Sequence, residues 1–276
     1  MPAPLMRVIV LDVGWGDSII VESRDSVGNW HFGLVDCNDT SSNLATLNFF
    51  KRRLKTEKYP NANDPHLFKF VLLTHDHADH GQGLKGMMRQ FGTEWFWYPK
   101  ENRRAVQTNL MSYAKRSKKV LKQQALDNTR LLPKLGDVTM EVLWPAPGYN
   151  DPAQNNNSVV LLLTLGSCTF LLSGDAEEVA WQNIANKIPS DVEFFKVPHH
   201  GSRNGSLDGH GQPTWLPHCP TTATLGISCW ARFGHPHDEV LDAFEDENRT
   251  YLRTDKHYHL IAETDGIGPT TVSYHR

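Results

Sequence analysis

Apolar positions fall along this chain in short runs broken by glycine, asparagine and proline, and the runs come in a repeated order. Arg7 to Val13 and Ser18 to Glu22 are rich in aliphatic and β-branched residues on either side of Gly14-Trp15-Gly16-Asp17, which predicts two strands and a turn. A third strand is expected from Trp30 to Val35, ending in Asp36-Cys37-Asn38-Asp39. Leu44, Leu47 and Phe50 then share helical spacing, and Ser41 or Ser42 is the expected cap of a helix through about Leu54. The run from Phe68 to Leu73 predicts a strand that leads into Thr74-His75-Asp76-His77-Ala78-Asp79-His80-Gly81, with a helix from about Gln82 to Gln90 behind it.

The second half follows the same plan. Ser158 to Leu165 and Thr169 to Leu172 predict a hairpin across Gly166-Ser167, ending in Ser173-Gly174-Asp175. A helix from Ala176 to about Ile188, a strand from Val192 to Val197 and then Pro198-His199-His200-Gly201-Ser202 complete it. Two such halves, about 1–145 and 155–276 of a single domain spanning 1–276, predict two facing sheets with helices outside. The histidines and aspartates then lie in loops at one end. Between the halves, an insert at about 100–130 is expected to form a long helix from Arg104 to about Leu126. Nine Lys/Arg stand there against Glu101 and Asp127, a local basic surface. Trp95-Phe96-Trp97-Tyr98 is expected as strand alternation on the core, with base stacking as the second reading.

Composition narrows the partners. A net charge of −3 excludes a globally basic, polyanion-binding protein, so any nucleic-acid surface must be local. Four scattered cysteines without a CxxC pair fit a reduced compartment. The N-terminus lacks a signal-peptide layout, and no apolar run approaches the roughly 20 residues that span a bilayer. A cytoplasmic protein without membrane partners is the expectation.

The chemistry concentrates in the first histidine run. His75, His77, Asp79 and His80 fall within six residues, and imidazoles with a carboxylate suit zinc or a neighbouring divalent ion. Burying three histidines and two aspartates for packing alone would be costly. There is no G-x-S-x-G elbow, and no cysteine stands beside a histidine in these motifs.

In order, the chain reads LDVGWGDS, LVDC, THDHADHG, NNNSVV, LLSGDAE, KVPHHGS, GHPHDEVL and RTD. It thereby resembles the metallo-β-lactamase fold hydrolases, most closely their ComEC-like branch. The resemblance implies an α/β, four-layer αββα sandwich holding two divalent metal ions, Zn2+ or Mn2+. It implies His75 and His77 on the first ion, Asp79 and His80 on the second, and Asp175 bridging. His199 in preference to His200 completes the second site, and Asp36 supports the metal loop. Asp79 also orients water, while His200 protonates a leaving group or touches a phosphate and Lys256 adds positive charge. Ser202, Asn157 and His235 are the expected substrate contacts. Structural roles compete at four positions: a helix cap for Asp36 or His235, a solvated turn for Lys256, and a hydrogen bond holding its neighbour for the non-ligating histidine of the pair. The chain departs from the family at Asn155-Asn156-Asn157-Ser158, where a further histidine is usual, so the first ion is expected to be ligand-poor.

These features lead to a dinuclear-metal-dependent phosphodiesterase or nuclease, acting on nucleic acid or a related phosphodiester through a metal-bridging hydroxide. The branch resemblance and the basic segment are the grounds for that substrate class. A hydrolase of a carboxylic ester, lactone, thioester or β-lactam is the first alternative, and a non-catalytic metal-binding regulatory module is the second.

Overall fold

The apolar runs sort into two sheets in the computed structural model, which describes residues 3–100 and 104–275. The first elements are β1 (Leu5–Val10), β2 (Ile19–Arg24), β3 (Trp30–Val35), α1 (Ala45–Glu57) and β4 (Phe68–Leu72). They are followed by α2 (Ala78–Gly81), α3 (Leu84–Phe91), β5 (Thr93–Pro99), α4 (Ala105–Arg116), β6 (Val120–Leu126) and β7 (Thr139–Trp144). Next come β8 (Val160–Leu165), β9 (Cys168–Leu172), α5 (Glu178–Ile184), β10 (Val192–Lys196) and α6 (Arg203–Ser206). The chain closes with β11 (Thr224–Ile227), α7 (Asp238–Asp246), β12 (Tyr251–Arg253), α8 (Thr254–His257), β13 (His259–Thr264) and β14 (Thr271–His275).

One sheet has eight strands in the order β14-β13-β1-β2-β3-β4-β5-β6, and the other six in the order β12-β11-β10-β9-β8-β7. From β3 to β6, and from β9 to β12, neighbours run parallel. Period-two alternation builds the layers. Val8, Val10 and Phe70 meet Leu161, Phe170 and Phe194 between the sheets. On the outer faces Ile9, Phe68 and Phe96 pack with Phe50, Met87 and Leu110, while Leu171 and Phe195 pack with Trp181, Trp215 and Phe244. Helix, sheet, sheet, helix is the αββα sandwich that the motifs implied. The aromatic run obeys the same rule: Trp97 stacks on Phe70 between the sheets with ring centroids 4.7 Å apart, and Phe96 and Tyr98 face the helices.

The expected helix from Arg104 to Leu126 is corrected. α4 ends at Arg116, and Val120–Leu126 is an edge strand parallel to β5. The lysines here favour a helix, but the edge of β5 offers a ladder of backbone hydrogen bonds, and that outweighs intrinsic propensity. The lysines also scatter. His66 Nε2 lies 2.9 Å from the carbonyl of Lys118, and Thr93 N–H donates to that of Lys119 at 2.8 Å. Lys118 and Lys119 therefore sit where β4 and β5 begin. Lys122 covers the ring of Trp95. Glu101 and Arg103, part of the basic insert, lie outside the described residues.

The expected serine cap of α1 is also replaced. Asp39 accepts from Thr46 N–H and Leu47 N–H, both at 2.8 Å. Sheet membership crosses the expected boundary between halves, since β7 belongs to the six-stranded sheet and β13 and β14 to the eight-stranded one. All four cysteines are buried and unpaired, and among the described residues no helix is long and apolar enough to cross a membrane.

Candidate metal centre

Four of the motif loops leave the carboxyl ends of parallel-paired strands, where open α/β sheets put their ligands. Asp36 follows β3, the histidine run follows β4, Asp175 follows β9 and the His199-His200 pair follows β10. Asp36 is wholly buried with φ of 56°. Its carboxylate accepts from Thr74 N–H at 2.8 Å, from Thr74 Oγ1 at 2.6 Å and from His80 Nδ1 at 2.7 Å. That leaves the lone pair of His80 on Nε2, aimed away from Asp36. Asp36 thus anchors the loop of the histidine run through Thr74 and His80, and the N–H groups that open α1 are bonded by Asp39 instead.

At the tip of β10 three consecutive residues are left-handed: φ is 47° at His199, 56° at His200 and 77° at Gly201. Two non-glycine residues in that region are backbone strain of the kind functional sites hold. The consequence is that adjacent rings diverge. His200 is fully buried and donates from Nδ1 to the carbonyl of Ser228 at 2.9 Å. Its Nε2 lies 3.5 Å from Asp175 Oδ2 and 3.9 Å from Asp79 Oδ2. His199 turns outward: its Nδ1 lies 2.9 Å from Glu177 Oε1 and 3.3 Å from the side-chain nitrogen of Asn155.

Asp175 is the hub. Its Oδ2 is 3.2 Å from His80 Nε2, 3.5 Å from His200 Nε2, and 3.9 Å from Nε2 of both His75 and His199. Burial works to raise its pKa, yet the imidazoles of His200, His80 and His199 hold it well below the usual carboxylate range. Burial pushes the His75 pKa well down and takes that of His200 to about 4, so both are neutral. Burial acts the same way on His80, but the carboxylates of Asp175 and Asp36 outweigh it and raise its pKa well above the usual value. For His199 the same contest ends in a raised pKa, through Asp175 and Glu177.

Around this carboxylate, buried atoms without a hydrogen bond of acceptable geometry include Nε2 of His75, His80 and His200, Oδ1 of Asp175, and both carboxylate oxygens of Asp17. Orphaned buried polar atoms are rare because they are costly. Three imidazole lone pairs and a carboxylate oxygen on one point are the donor set of a divalent cation, which would displace the extra proton of His80. Metal-competent groups with mutual distances within 4.8 Å are His75-His80-Asp175, Asp79-His80-His200, Asp17-Asp175-His200 and Asp17-Asp36-His80. Neither His77 nor His199 belongs to any of these groups. His77 is half-buried, its ring edge-on to His75 at 4.6 Å between centroids.

The remaining candidates divide. Asn157 spends its side chain on its own loop, accepting from Asp151 N–H and donating to the carbonyls of Asp151 and Ala153. Its neighbour Asn155 is the asparagine that faces the centre, bonded to Glu177 at 2.9 Å with its Oδ1 buried and unbonded. Ser202 Oγ caps α6 by accepting from Gly205 N–H. His235 adjoins His199, with ring centroids 5.8 Å apart, and the N-terminal boundary of α7 falls at His237, whose Nδ1 accepts from Arg203 N–H at 3.1 Å. Lys256 is exposed on α8.

Two residues escaped the sequence reading. Asp17 and Lys196 are both fully buried and form an ion pair of 2.5 Å between the sheets, with Asp17 Oδ1 3.6 Å from His200 Nδ1. The available signal was a lysine closing the otherwise apolar Phe194-Phe195-Lys196-Val197. Gly16 makes the approach possible, because a Cβ there would sit 2.2 Å from the backbone oxygen of Asp79. Asp76, inside the histidine run, instead accepts from the backbone N–H groups of Arg104 and Gln107 and so starts α4. Arg104 in turn donates to the carbonyl of Pro152 at 3.2 Å, bringing an exposed cation between the metal loop and the asparagine loop.

Comparison with known proteins gives the family to which this fold belongs. The model of the metallo-beta-lactamase superfamily matches residues 68–208, just over half of the chain. ComE operon protein 3 of Bacillus subtilis (strain 168) is 26% identical over 265 residues, covering 91% of this chain and 32% of its own length. The uncharacterized protein YcaI of Escherichia coli (strain K12) is 26% identical over 141 residues, 49% of this chain and 16% of that protein. The chain therefore spans a third or less of these curated relatives. Among solved structures, CmlA, a diiron beta-hydroxylase from Streptomyces venezuelae, aligns with a TM-score of 0.53 at 13% identity, over 92% of this chain and 53% of that one. At that identity the likeness concerns the fold alone.

Proposed function

The chain belongs to the metallo-β-lactamase superfamily, and from that premise we propose that it is a dinuclear-metal hydrolase of phosphodiesters, acting on nucleic acid or a related diester. The observation that carries the reading is the ring of imidazoles around the buried carboxylate of Asp175. His75, His80, Asp79, Asp175 and His200 would hold two divalent ions, Zn2+ or Mn2+, with His77 at the outer edge. The ions would supply positive charge to a phosphoryl oxygen and acidify water.

This assignment reverses the roles expected for the histidine pair: His200 is a ligand, and His199, hydrogen-bonded to Glu177, protonates the leaving oxygen. Half-buried Asp79 orients the attacking water, and Arg104 meets a phosphate at the rim. Lys256, exposed on α8, takes no part in this assignment. The phosphodiester class draws on the ComEC-like resemblance, which the coverage of ComE operon protein 3 supports. Lys118 and Lys119, at the beginning of β4 and β5, contribute nothing to it.

The test is chelation, reloading with Zn2+ or Mn2+, and assay on plasmid, single-stranded DNA, RNA, a small phosphodiester and a β-lactam. Metal-restored cleavage of a diester is expected, lower by roughly a thousandfold in Asp175→Ala. Turnover of the lactam with every diester left intact overturns the reading.

A further inference from the structure

Beside the metal centre the chain displays aromatic surface that its own core does not use. Trp230 and Phe233, in and next to a 3-10 turn at Ala231–Phe233, are 39% and 50% exposed. Their ring centroids are 5.4 Å apart. Trp15 continues the surface inward: its ring lies 4.5 Å from that of Phe233, 4.8 Å from His200 and 5.2 Å from His235. An unbroken aromatic path therefore runs from a metal-competent histidine to solvent. Gly14 backs the Trp230 ring, since a Cβ there would sit 3.5 Å from it, and this fixes one side of the indole. The Arg232 guanidinium lies 5.5 Å over the same ring.

The neighbouring chemistry identifies what such a surface takes. The metal centre is built of imidazoles and carboxylates and suits an anionic group, whereas the shelf beside it offers π-faces and a guanidinium. A molecule that is anionic at one end and flat and aromatic at the next is a nucleotide unit, and aromatic rings with arginine are the partners on which unpaired bases stack. Bases inside a duplex have their faces covered and cannot reach the shelf. We propose that Trp230 and Phe233 stack an unpaired base of the strand being cut, which makes this protein selective for single-stranded or frayed nucleic acid over paired ends. This proposal rests on the phosphodiesterase reading of the adjacent site.

Binding tests it without turnover. The metal-free full chain is titrated, by fluorescence anisotropy, with a short labelled oligothymidylate, the same strand made abasic, and a blunt hairpin. Wild type is expected to bind oligothymidylate about tenfold tighter than the abasic strand. Trp230→Ala and Phe233→Ala each remove most of that difference, while Trp230→Phe, which keeps a ring, retains much of it. Ile267→Ala is the control, because Ile267 is 86% exposed beside Gly266, whose carbonyl bonds the β8–β9 turn at the far end of the strands. Thermal melting confirms that each variant is folded. Equal affinity for the thymidine and abasic strands, or alanine variants that bind like wild type, overturns the proposal. If the loaded enzyme still hydrolyses a small diester in that case, the stacking role falls and the hydrolase stands; if it hydrolyses none, both fall.

Discussion

Two adjacent histidines at the tip of β10 meet different partners because their backbone is left-handed. His200 is drawn inward by the carbonyl of Ser228, while His199 is drawn outward by Glu177. Removing His200 should therefore cost an ion: His200→Ala is expected to fall from about two bound metals to about one in metal analysis. His199→Ala should keep its metal and lose about 10²–10⁴ in kcat, the usual share of a general acid. Equal metal loss in both variants would sink the division of labour. The motif Pro-His-His-Gly-Ser announces a metal site but cannot say which ring enters it, because φ at two residues makes that choice. The same blindness hid Asn155 behind Asn157, where three identical side chains sit in a row and a 3-10 turn decides which one faces the centre.

The elements carrying strong periodicity were legible, and their connections were not. Strands β2 to β4 and β8 to β10 follow the apolar runs to within a residue or two of the expected bounds, and β1 ends three residues early, since burial between layers enforces alternation. β6 was hidden because an edge strand needs only one apolar face and tolerates lysine on the other. Helix starts were hidden for another reason. The caps of α1 and α4 are Asp39 and Asp76, each placed by a loop at the end of a strand rather than by its own helix. Asp76→Ala should accordingly cost about 1 kcal/mol in urea unfolding with metal removed, and Asp76→Asn should restore part of it. An alanine variant as stable as wild type would show that α4 starts without this carboxylate.

Across the whole molecule, one histidine ties the last hairpin to the metal end of β1. His259 Nδ1 accepts from Asp12 N–H at 3.0 Å, and the Phe49 ring stands edge-on against it. Burial, with smaller contributions from Arg52 and His275, takes its pKa down to about 4. The unfolded chain takes up that proton near pH 6.5. Between those values the unfolded state binds a proton the folded state refuses, so stability is present at neutral pH and drains as pH falls toward 4. Allowing for its partial exposure, His259 should contribute about 2 kcal/mol across that window. Urea unfolding at pH 7 and pH 4.5 measures the loss, and His259→Asn, which keeps an acceptor, should flatten it. An unchanged pH slope in that variant would remove His259 as a cause.

The strand exchange between the sheets reaches further than topology. β7 leaves the first half to flank β8, and β13 returns from the second half to flank β1. A cut anywhere between β7 and β8 therefore yields two fragments, each holding the missing border of the other. Neither is a smaller enzyme, for each also carries only part of the cation's donor set. Mixed together, they have every reason to reassemble, and reassembly would report itself by the recovery of metal uptake. The repeat that makes the sequence look divisible is, in the folded molecule, a mutual clasp.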